Sequence, residues 1–278
     1  MSVGLGLKEI RELSAIMSGM LGIPYDHMPV SFFKRRATYL FRKKNIKNID
    51  HFRQLLEKGE ISDDIYYDFQ VPATEMFRDP GFWRYLRSLL KTFPKDKKIT
   101  VWFPDEVTGE EVFSFLIIAD EIGALDRFKV ICQHPSGQRL DDIKNGILRI
   151  RNENVNSGNY VRIEGKGNYE DFYSLQNNIF VLNSYLLKNV ETLKGHFLQN
   201  ETADQAGIIM FRNKMLYYDK EISEKSISVL TENLLPGGLL AIGSKERMPA
   251  AVSASLDRMS EKEKVFRKHG FEIELDNE

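Results

Sequence analysis

The feature that most constrains the fold is an alternation of short apolar runs with helical patterns, which begins at residue 99. Apolar runs that predict buried strands lie at Ile99–Phe103, Lys129–Cys132, Ile179–Leu182, Gly207–Phe211 and Gly238–Ile242. Segments with helical spacing follow most of them, at Glu111–Ile122, Leu140–Asn145, Lys220–Leu234 and Ser260–His269. Strands that alternate with helices form a parallel sheet with crossover helices on its faces. The sequence therefore predicts an α/β domain from residue 99 onward.

The preceding residues predict helices throughout, because their apolar residues recur at helical spacing from Leu7 to Leu90. The segment Thr92–Lys98 combines proline with charge and predicts a linker. The predicted organisation is an all-α domain at residues 1–91, a linker at 92–98 and an α/β domain at 99–278. Within the α/β domain, the polar segment Arg151–Gln176 interrupts the alternation, and we expect a small antiparallel insertion there.

Composition excludes several classes of protein. The 278 residues carry a formal net charge of −1, so no overall charge favours nucleic acid or an anionic membrane. The single cysteine, Cys132, excludes an internal disulfide and a multi-cysteine zinc site, and we predict no metal site. No stretch approaches the roughly 18 uncharged apolar residues of a membrane span. We expect a soluble, cytoplasmic protein that does not insert into a membrane.

A strongly basic segment lies on one or two of the predicted N-terminal helices, whose other face is aromatic. Its cations are Lys34, Arg35, Arg36, Arg42, Lys43, Lys44 and Lys47. A solvated helix face explains such a run without any function. The alternative is a surface for an acidic partner, either an acidic helical protein or nucleic acid. Nucleic acid is the weaker alternative, since no nucleic-acid-binding motif accompanies the segment.

Polar residues follow the strand predicted at Gly207–Phe211. Arg212 and Asn213 come directly after it, and Tyr217 precedes the next helix. Ligands of open parallel sheets bind beyond the carboxyl ends of the strands, so these side chains lie where a ligand is expected. Arg78 precedes a helix that Asp79 and Pro80 begin, and its guanidinium could hold a carboxylate in a fork of two hydrogen bonds.

Taken in order, these segments resemble the CheR family, the chemotaxis-receptor protein-glutamate O-methyltransferases. The resemblance covers nearly the whole chain. Its helical start resembles the family's N-terminal domain, and four further motifs follow in register: TEMFRDPGFW, VTGEEVFSF, FRNKMLYYDK and LLPGGLLAIGSKE. The resemblance implies an all-helical N-terminal domain and a doubly wound, Rossmann-like domain that uses S-adenosylmethionine and carries an antiparallel insertion.

The resemblance also implies a reaction and a set of site residues. The reaction is methyl transfer to glutamate side chains on the helical cytoplasmic region of a chemotaxis-type receptor, which would be the partner. The implied catalytic residues are Arg78 and Tyr217. The implied residues for binding S-adenosylmethionine are Thr74, Arg78, Glu111, Asn183, Arg212 and Asn213.

The chain departs from the family pattern at two places that concern the cofactor. The family has small residues where this chain has Pro104, Asp105 and Glu106, and the two carboxylates would repel the carboxylate of the cofactor. The family has acidic residues for the ribose hydroxyls where this chain has His134 and Ser136. Two hypotheses follow: a methyltransferase with a re-formed cofactor pocket, or a catalytically inactive protein of the same fold that binds a receptor or signalling partner.

Overall fold

The helical N-terminal region packs around a core of its own. The computed structural model describes residues 5–70, 74–105, 108–148, 152–177, 179–199, 202–203, 205–260 and 262–270. The first four helices are α1 (Leu7–Leu21), α2 (Val30–Lys43), α3 (Ile49–Glu57) and α4 (Ser62–Asp68). Each turns an apolar stripe inward, and Leu13, Phe33 and Phe52 are at most 1% exposed. Among the described residues, no helix is long and apolar enough to cross a membrane.

Residues 80–268 contain the remaining helices and all the strands of the described chain. The helices are α5 (Pro80–Lys91), α6 (Glu110–Glu121), α7 (Gly137–Lys144), α8 (Glu153–Arg162), α9 (Lys220–Glu232) and α10 (Ala250–Ser253). The strands are β1 (Ile99–Phe103), β2 (Phe128–His134), β3 (Ile147–Leu148), β4 (Tyr173–Gln176), β5 (Ile179–Leu182), β6 (Val190–Lys194), β7 (Ala206–Phe211), β8 (Leu234–Ile242), β9 (Leu256–Arg258) and β10 (Val265–Lys268).

Seven strands form the main sheet, in the order β6-β2-β1-β7-β8-β10-β9. Pairing is parallel from β6 to β8, and β10 is antiparallel to both of its neighbours. The chain order reverses at β1, which lies between β2 and β7. Separate apolar clusters cover the two faces of the sheet, as expected for strands that are apolar throughout. The predicted α/β fold is confirmed, and the topological switch point lies at β1 and β7.

Helix α5 contributes to the apolar core of the sheet. Phe82, Trp83, Leu86 and Leu90 belong to the same apolar cluster as Val101 of β1. Nonetheless, the domain boundary placed at residues 92–98 stays a prediction.

The antiparallel insertion exists, but its elements differ from the expectation. Strands β3, β5 and β4 form a separate three-stranded antiparallel sheet, so Ile179–Leu182 is a strand outside the main sheet. The alternating run Tyr160–Ile163, inside the segment expected to be antiparallel, lies at the end of helix α8. Buried Tyr160 explains the run, because its ring packs on Phe77 and its hydroxyl donates to Glu121 Oε1 at 2.6 Å. Arg151, the expected start of the insertion, lies outside the described residues.

The helix expected at Ser260–His269 is wrong. The second half of this segment is strand β10, which pairs with β8 on one side and β9 on the other. Its charged residues mimic an exposed helix, but Val265 is fully buried and Phe266 is 7% exposed in the sheet. Tertiary pairing with two strands therefore overrides the local propensity.

Candidate functional site

A cleft lined by both apolar and polar side chains lies where strands β1 and β7 end, at the switch point of the sheet. Asp105 follows β1 and Arg212 follows β7, so the carboxyl ends of both strands contribute to the cleft. Ile23, Tyr25 and Phe32 of the N-terminal region also line the cleft. The site is therefore built from both parts of the chain, in the position where open α/β sheets bind ligands.

Six of the seven predicted site residues line this cleft: Thr74, Arg78, Glu111, Arg212, Asn213 and Tyr217. The seventh, Asn183, is not brought to them. It follows β5 in the antiparallel insertion, where its side-chain amide donates to the carbonyl oxygen of Asp171 at 2.8 Å. Its backbone N–H donates to Phe172 at 2.9 Å. These bonds give Asn183 a local structural position.

Arg212 is held from several sides inside the protein. Its Nη1 lies 2.6 Å from Glu111 Oε1, and its Nη2 lies 2.8 Å from Asp79 Oδ2. The guanidinium carbon lies 3.9 Å from the centre of the Phe82 ring, and the residue is 2% exposed. Two carboxylates already neutralise this cation. Arg212 therefore ties β7 to the starts of α5 and α6, and its charge is already balanced by their carboxylates.

Arg78 is held differently. It is half-buried at the cleft, and its guanidinium has no hydrogen bond or ion pair within the described part of the chain. Its backbone lies between two residues in the left-handed region, Phe77 with φ 55° and Asp79 with φ 58°. Its carbonyl accepts a hydrogen bond from Trp83 Nε1 at 2.9 Å. A strained, anchored backbone thus presents an uncommitted guanidinium, as expected of a ligand-binding residue.

Asn213 is positioned by a buried carboxylate. Its backbone is left-handed with φ 59°, and its N–H donates to Glu246 Oε2 at 3.0 Å. The same oxygen accepts from the N–H of Gly243 at the end of β8. Burial raises the pKa of Glu246, and the backbone donors oppose that rise. The SKE segment after β8 therefore fixes the loop that carries Arg212 and Asn213, a role that its sequence alone does not reveal.

The residues at the end of β2 lie outside the cleft. His134 and Ser136 are fully buried and do not line the cleft. Asp63 of α4 accepts from Ser136 Oγ at 2.8 Å and from the N–H of Gly137 at 2.7 Å, so it occupies the N-terminus of α7. Burial, then nearby Arg139 and Lys214, lower the pKa of His134 well below 6.5. A neutral histidine and a capped helix therefore lie where the resemblance implies an acceptor for the ribose hydroxyls.

The loop after β1 places Asp105 in the wall of the cleft. Its backbone is left-handed with φ 57°, its side chain is 7% exposed, and Oδ1 accepts from Gln70 Nε2 at 3.0 Å. Glu106, named with it in the sequence analysis, lies outside the described residues. Asp105 is thus a fixed component of the site.

Sequence reasoning missed His196, Gln70 and Phe32 as cleft residues. His196 follows β6, an edge strand whose residues Val190–Lys194 are half-buried or exposed, so no apolar run marks it. Gln70 and Phe32 lie in the helical region, and only the tertiary fold brings them to the carboxyl ends of the sheet. The aromatic positions of the basic segment were the available signal for Phe32.

The fold and the cleft define a cofactor-binding α/β domain of the doubly wound class. The chain belongs to the CheR methyltransferase family: the family model described as "CheR methyltransferase, SAM binding domain" matches residues 73–265, more than half of the chain. A protein of Pseudomonas putida named as methyltransferase Cher3 is 27% identical over 243 residues, covering 84% of this chain and 87% of that protein.

Two solved structures are also similar. The N-methyltransferase NodS from Bradyrhizobium japonicum WM9 is 13% identical, with a TM-score of 0.35, and covers 69% of this chain and 99% of that chain. A methyltransferase from Geobacter sulfurreducens in complex with S-adenosyl-L-homocysteine is also 13% identical, with a TM-score of 0.35, and covers 69% of this chain and 60% of that chain.

The family cofactor is S-adenosylmethionine, and the cleft residues fit its polar groups. Four buried polar atoms of lining residues have no hydrogen-bond partner within the described ranges: Gln70 Oε1, His196 Nε2, Arg212 Nε and Asn213 Oδ1. Buried polar groups are normally paired, so these atoms indicate a ligand with both donors and acceptors. The two oxygens can accept from an ammonium or hydroxyl group. Arg78 and Lys214 supply positive charge for a carboxylate.

Proposed function

We propose that this chain transfers the methyl group of S-adenosylmethionine to the side-chain carboxylate of glutamate on a partner protein. The observation that carries the proposal is the pair of arginines at the cleft. Arg212 is neutralised by Glu111 and Asp79, whereas Arg78 has no ion pair in the described ranges. A guanidinium with free hydrogen-bonding capacity in such a cleft suits a carboxylate substrate.

Little chemistry is required of the protein. The bound cofactor supplies an electrophilic methyl group on a sulfonium, and a glutamate carboxylate is already ionised at neutral pH. Arg78 orients this carboxylate, and Tyr217 forms a wall beside it. The ring of Tyr217 lies 4.5 Å from the ring of Phe32, centre to centre, so the helical region supports that wall. Positioning then supplies most of the rate, and no general base is needed.

The proposed partner surface is the exposed basic face of α2 next to this wall. Lys34 and Arg35 are exposed and follow Phe32 by two and three positions, and the Arg35 guanidinium lies 5.7 Å from the Phe32 ring centre. This face is smaller than the sequence indicates, because buried Arg36 donates to the carbonyls of Asp68 and Phe69. Lys43 and Lys44 also have partners, Asp68 and Asp64. An acidic helix, such as the cytoplasmic region of a chemotaxis-type receptor, complements the exposed cations.

A methylation assay tests the proposal. The full chain is incubated with S-adenosylmethionine and a glutamate-bearing cytoplasmic fragment of a chemotaxis-type receptor, and methanol released by alkali is measured, since methyl esters are hydrolysed by base. We expect methanol from the fragment and none from a fragment whose exposed glutamates are replaced by glutamine. Equal methanol from both fragments would reject glutamate as the acceptor.

A binding protein without catalytic activity is the second candidate. The end of β2 favours it, because His134 is buried there and the Asp63 carboxylate is bonded to Ser136 and Gly137, where the resemblance implies an acceptor for the ribose hydroxyls. The same assay separates the candidates. Association with the fragment without methyl transfer, at saturating cofactor, would support the binding protein and reject the methyltransferase.

A further inference from the structure

Asp105 is a buried carboxylate whose described hydrogen-bond partner is a neutral amide, Gln70. The other carboxylates near the base of the cleft differ, since Glu111 and Asp79 share the cation of Arg212. Asp105 has no ion pair within the described ranges. Burying a carboxylate without a cation is costly. A positively charged ligand in the cleft would remove that cost.

Three rings line the same cleft as this carboxylate. Tyr25 and Tyr218 line the same cleft, and His196 lies there with a 2% exposed side chain. Burial and then the charge of neighbouring groups, Asp105 among them, raise the pKa of both tyrosines well above 10. Burial lowers the pKa of His196 against the opposing effect of Asp105. All three rings are therefore neutral at pH 7, and each interacts electrostatically with Asp105.

We propose that Asp105, with the rings of Tyr25 and Tyr218, forms a cation subsite that binds the sulfonium and ammonium groups of S-adenosylmethionine. Aromatic faces attract desolvated cations, and a buried carboxylate adds a full charge to that attraction. The proposal rests on the cofactor of the proposed function and deepens it. It reverses the expectation from sequence that Asp105 repels the cofactor.

The subsite also makes cofactor binding a property of both parts of the chain. Tyr25 and Gln70 come from the helical region, whereas Asp105 and Tyr218 follow strands of the sheet. The left-handed backbone of Asp105 allows a sharp test, because asparagine tolerates that conformation and keeps an oxygen for Gln70. Asp105→Asn thus removes the charge with little change of shape.

Calorimetric titration of the full chain tests the subsite with two probes: S-adenosylmethionine, and methylthioadenosine, which lacks the sulfonium and the amino-acid group. We expect Asp105→Asn to lower the affinity for S-adenosylmethionine by about ten-fold or more and to leave that for methylthioadenosine within about two-fold. Tyr218→Leu should show the same selective loss. The control Asp126→Asn removes an exposed partner of Lys188 and should change neither affinity.

Three results would overturn the subsite: unchanged or higher affinity of Asp105→Asn for S-adenosylmethionine, a parallel loss for both probes, or no binding of either probe to the natural chain. The titration contains no methyl acceptor. A wrong acceptor in the proposed function would therefore leave these affinities as expected. Either of the first two results would overturn the subsite and leave methyl transfer to glutamate intact, whereas no binding of either probe would reject the methyltransferase as well.

Discussion

At the residue scale, the two arginines of the cleft have different roles although their side chains are identical. Arg212 is 2% exposed, contacts two carboxylates and stacks on Phe82, whereas Arg78 faces the cleft without an ion pair in the described chain. The first arrangement stabilises the folded protein by satisfying buried charges. The second costs little stability and leaves a cation for substrate.

This difference predicts that alanine at Arg212 mainly lowers stability, whereas alanine at Arg78 mainly lowers activity. Arg212→Ala removes the buried cation that pairs with Glu111 and Asp79, so we expect a loss of about 3–5 kcal/mol in the free energy of unfolding. Arg78→Ala should change it by no more than about 0.5 kcal/mol while lowering kcat/KM about 100-fold. Thermal unfolding and the methanol assay measure both quantities. A large loss of stability in Arg78→Ala, with activity retained, would contradict the assignment.

Gly243 provides a second residue-scale prediction. A Cβ at this position would lie 2.6 Å from Asn213 Oδ1 and 2.8 Å from Asn213 N, so alanine must displace the loop after β7. We expect Gly243→Ala to lower the free energy of unfolding by about 1–3 kcal/mol and to weaken binding of S-adenosylmethionine.

Gly158 of α8 is the matched control for that substitution. A Cβ there meets nothing within 4 Å, so Gly158→Ala should stabilise the helix by about 0.5–1 kcal/mol and leave cofactor binding unchanged. Thermal unfolding and calorimetry measure the effects. Equal cofactor affinity in the two variants would show that the position of Asn213 does not matter.

At the scale of elements, a contact between the short turn Tyr25–His27 and the start of α9 closes one side of the cleft. His27 Nδ1 lies 2.7 Å from Asp219 Oδ2, and the N–H of Asp219 donates to the carbonyl of His27 at 3.2 Å. Asp219 also caps α9 by accepting from the N–H of Ile222 at 3.0 Å. Tyr25 and Tyr218, both next to this contact in sequence, line the cleft.

The contact predicts a pH dependence. The hydrogen bond to Asp219 raises the pKa of His27 above 6.5, against burial and with help from Asp26 and Glu221. A raised folded-state pKa gives stability that is fully present below pH 6.5 and is lost as pH rises through the raised value. The melting temperature of the natural chain should therefore exceed that of His27→Gln more at about pH 6 than at about pH 8.5.

Asp219→Asn keeps the helix cap but removes the charge. The melting temperature of the natural chain should therefore also exceed that of Asp219→Asn more at about pH 6 than at about pH 8.5. The double variant should show no further loss, because both changes break one pair. A difference between the natural chain and His27→Gln that does not vary with pH would contradict the ion pair.

Helix α2 carries the prediction about the partner. Lys34→Glu with Arg35→Glu reverses charge beside the cleft, so we expect a KM for the receptor fragment at least about ten-fold higher, with a weaker dependence on salt. Lys97→Glu with Lys98→Glu, exposed residues before β1, is the matched control and should leave KM unchanged. Equal effects of the two double variants would indicate a general charge effect without a docking surface on α2.

At the scale of the whole molecule, the sequence predicts elements that a local apolar pattern marks, and it misses elements that form only through tertiary pairing. Strand β1 has the predicted bounds, because Ile99–Phe103 is a continuous apolar run in the centre of the sheet. Strand β6 was missed, since Glu191, Thr192 and Lys194 are exposed at the edge. Strand β10 was predicted to be a helix because its segment is rich in charged residues and only two of its apolar positions are buried.

The site follows the same division. The motifs around Arg78 and Arg212 place both residues at the cleft, but the sequence cannot show that one is neutralised and the other is not. Asp63 reaches the N-terminus of α7 from 74 positions away, and Gln70 reaches Asp105 from 35. Such contacts depend on how the helical region packs against the sheet, and this packing cannot be predicted from local sequence patterns.

The central claim is that one cleft, shared by the helical region and the sheet, binds S-adenosylmethionine. Hydrogen exchange of the full chain with and without this cofactor tests it most directly. We predict slower exchange at residues 25–32 of the helical region together with residues 212–218 after β7, which line the cleft. Unchanged exchange at both segments, or slowing confined to residues 134–144 at the end of β2, would contradict the claim.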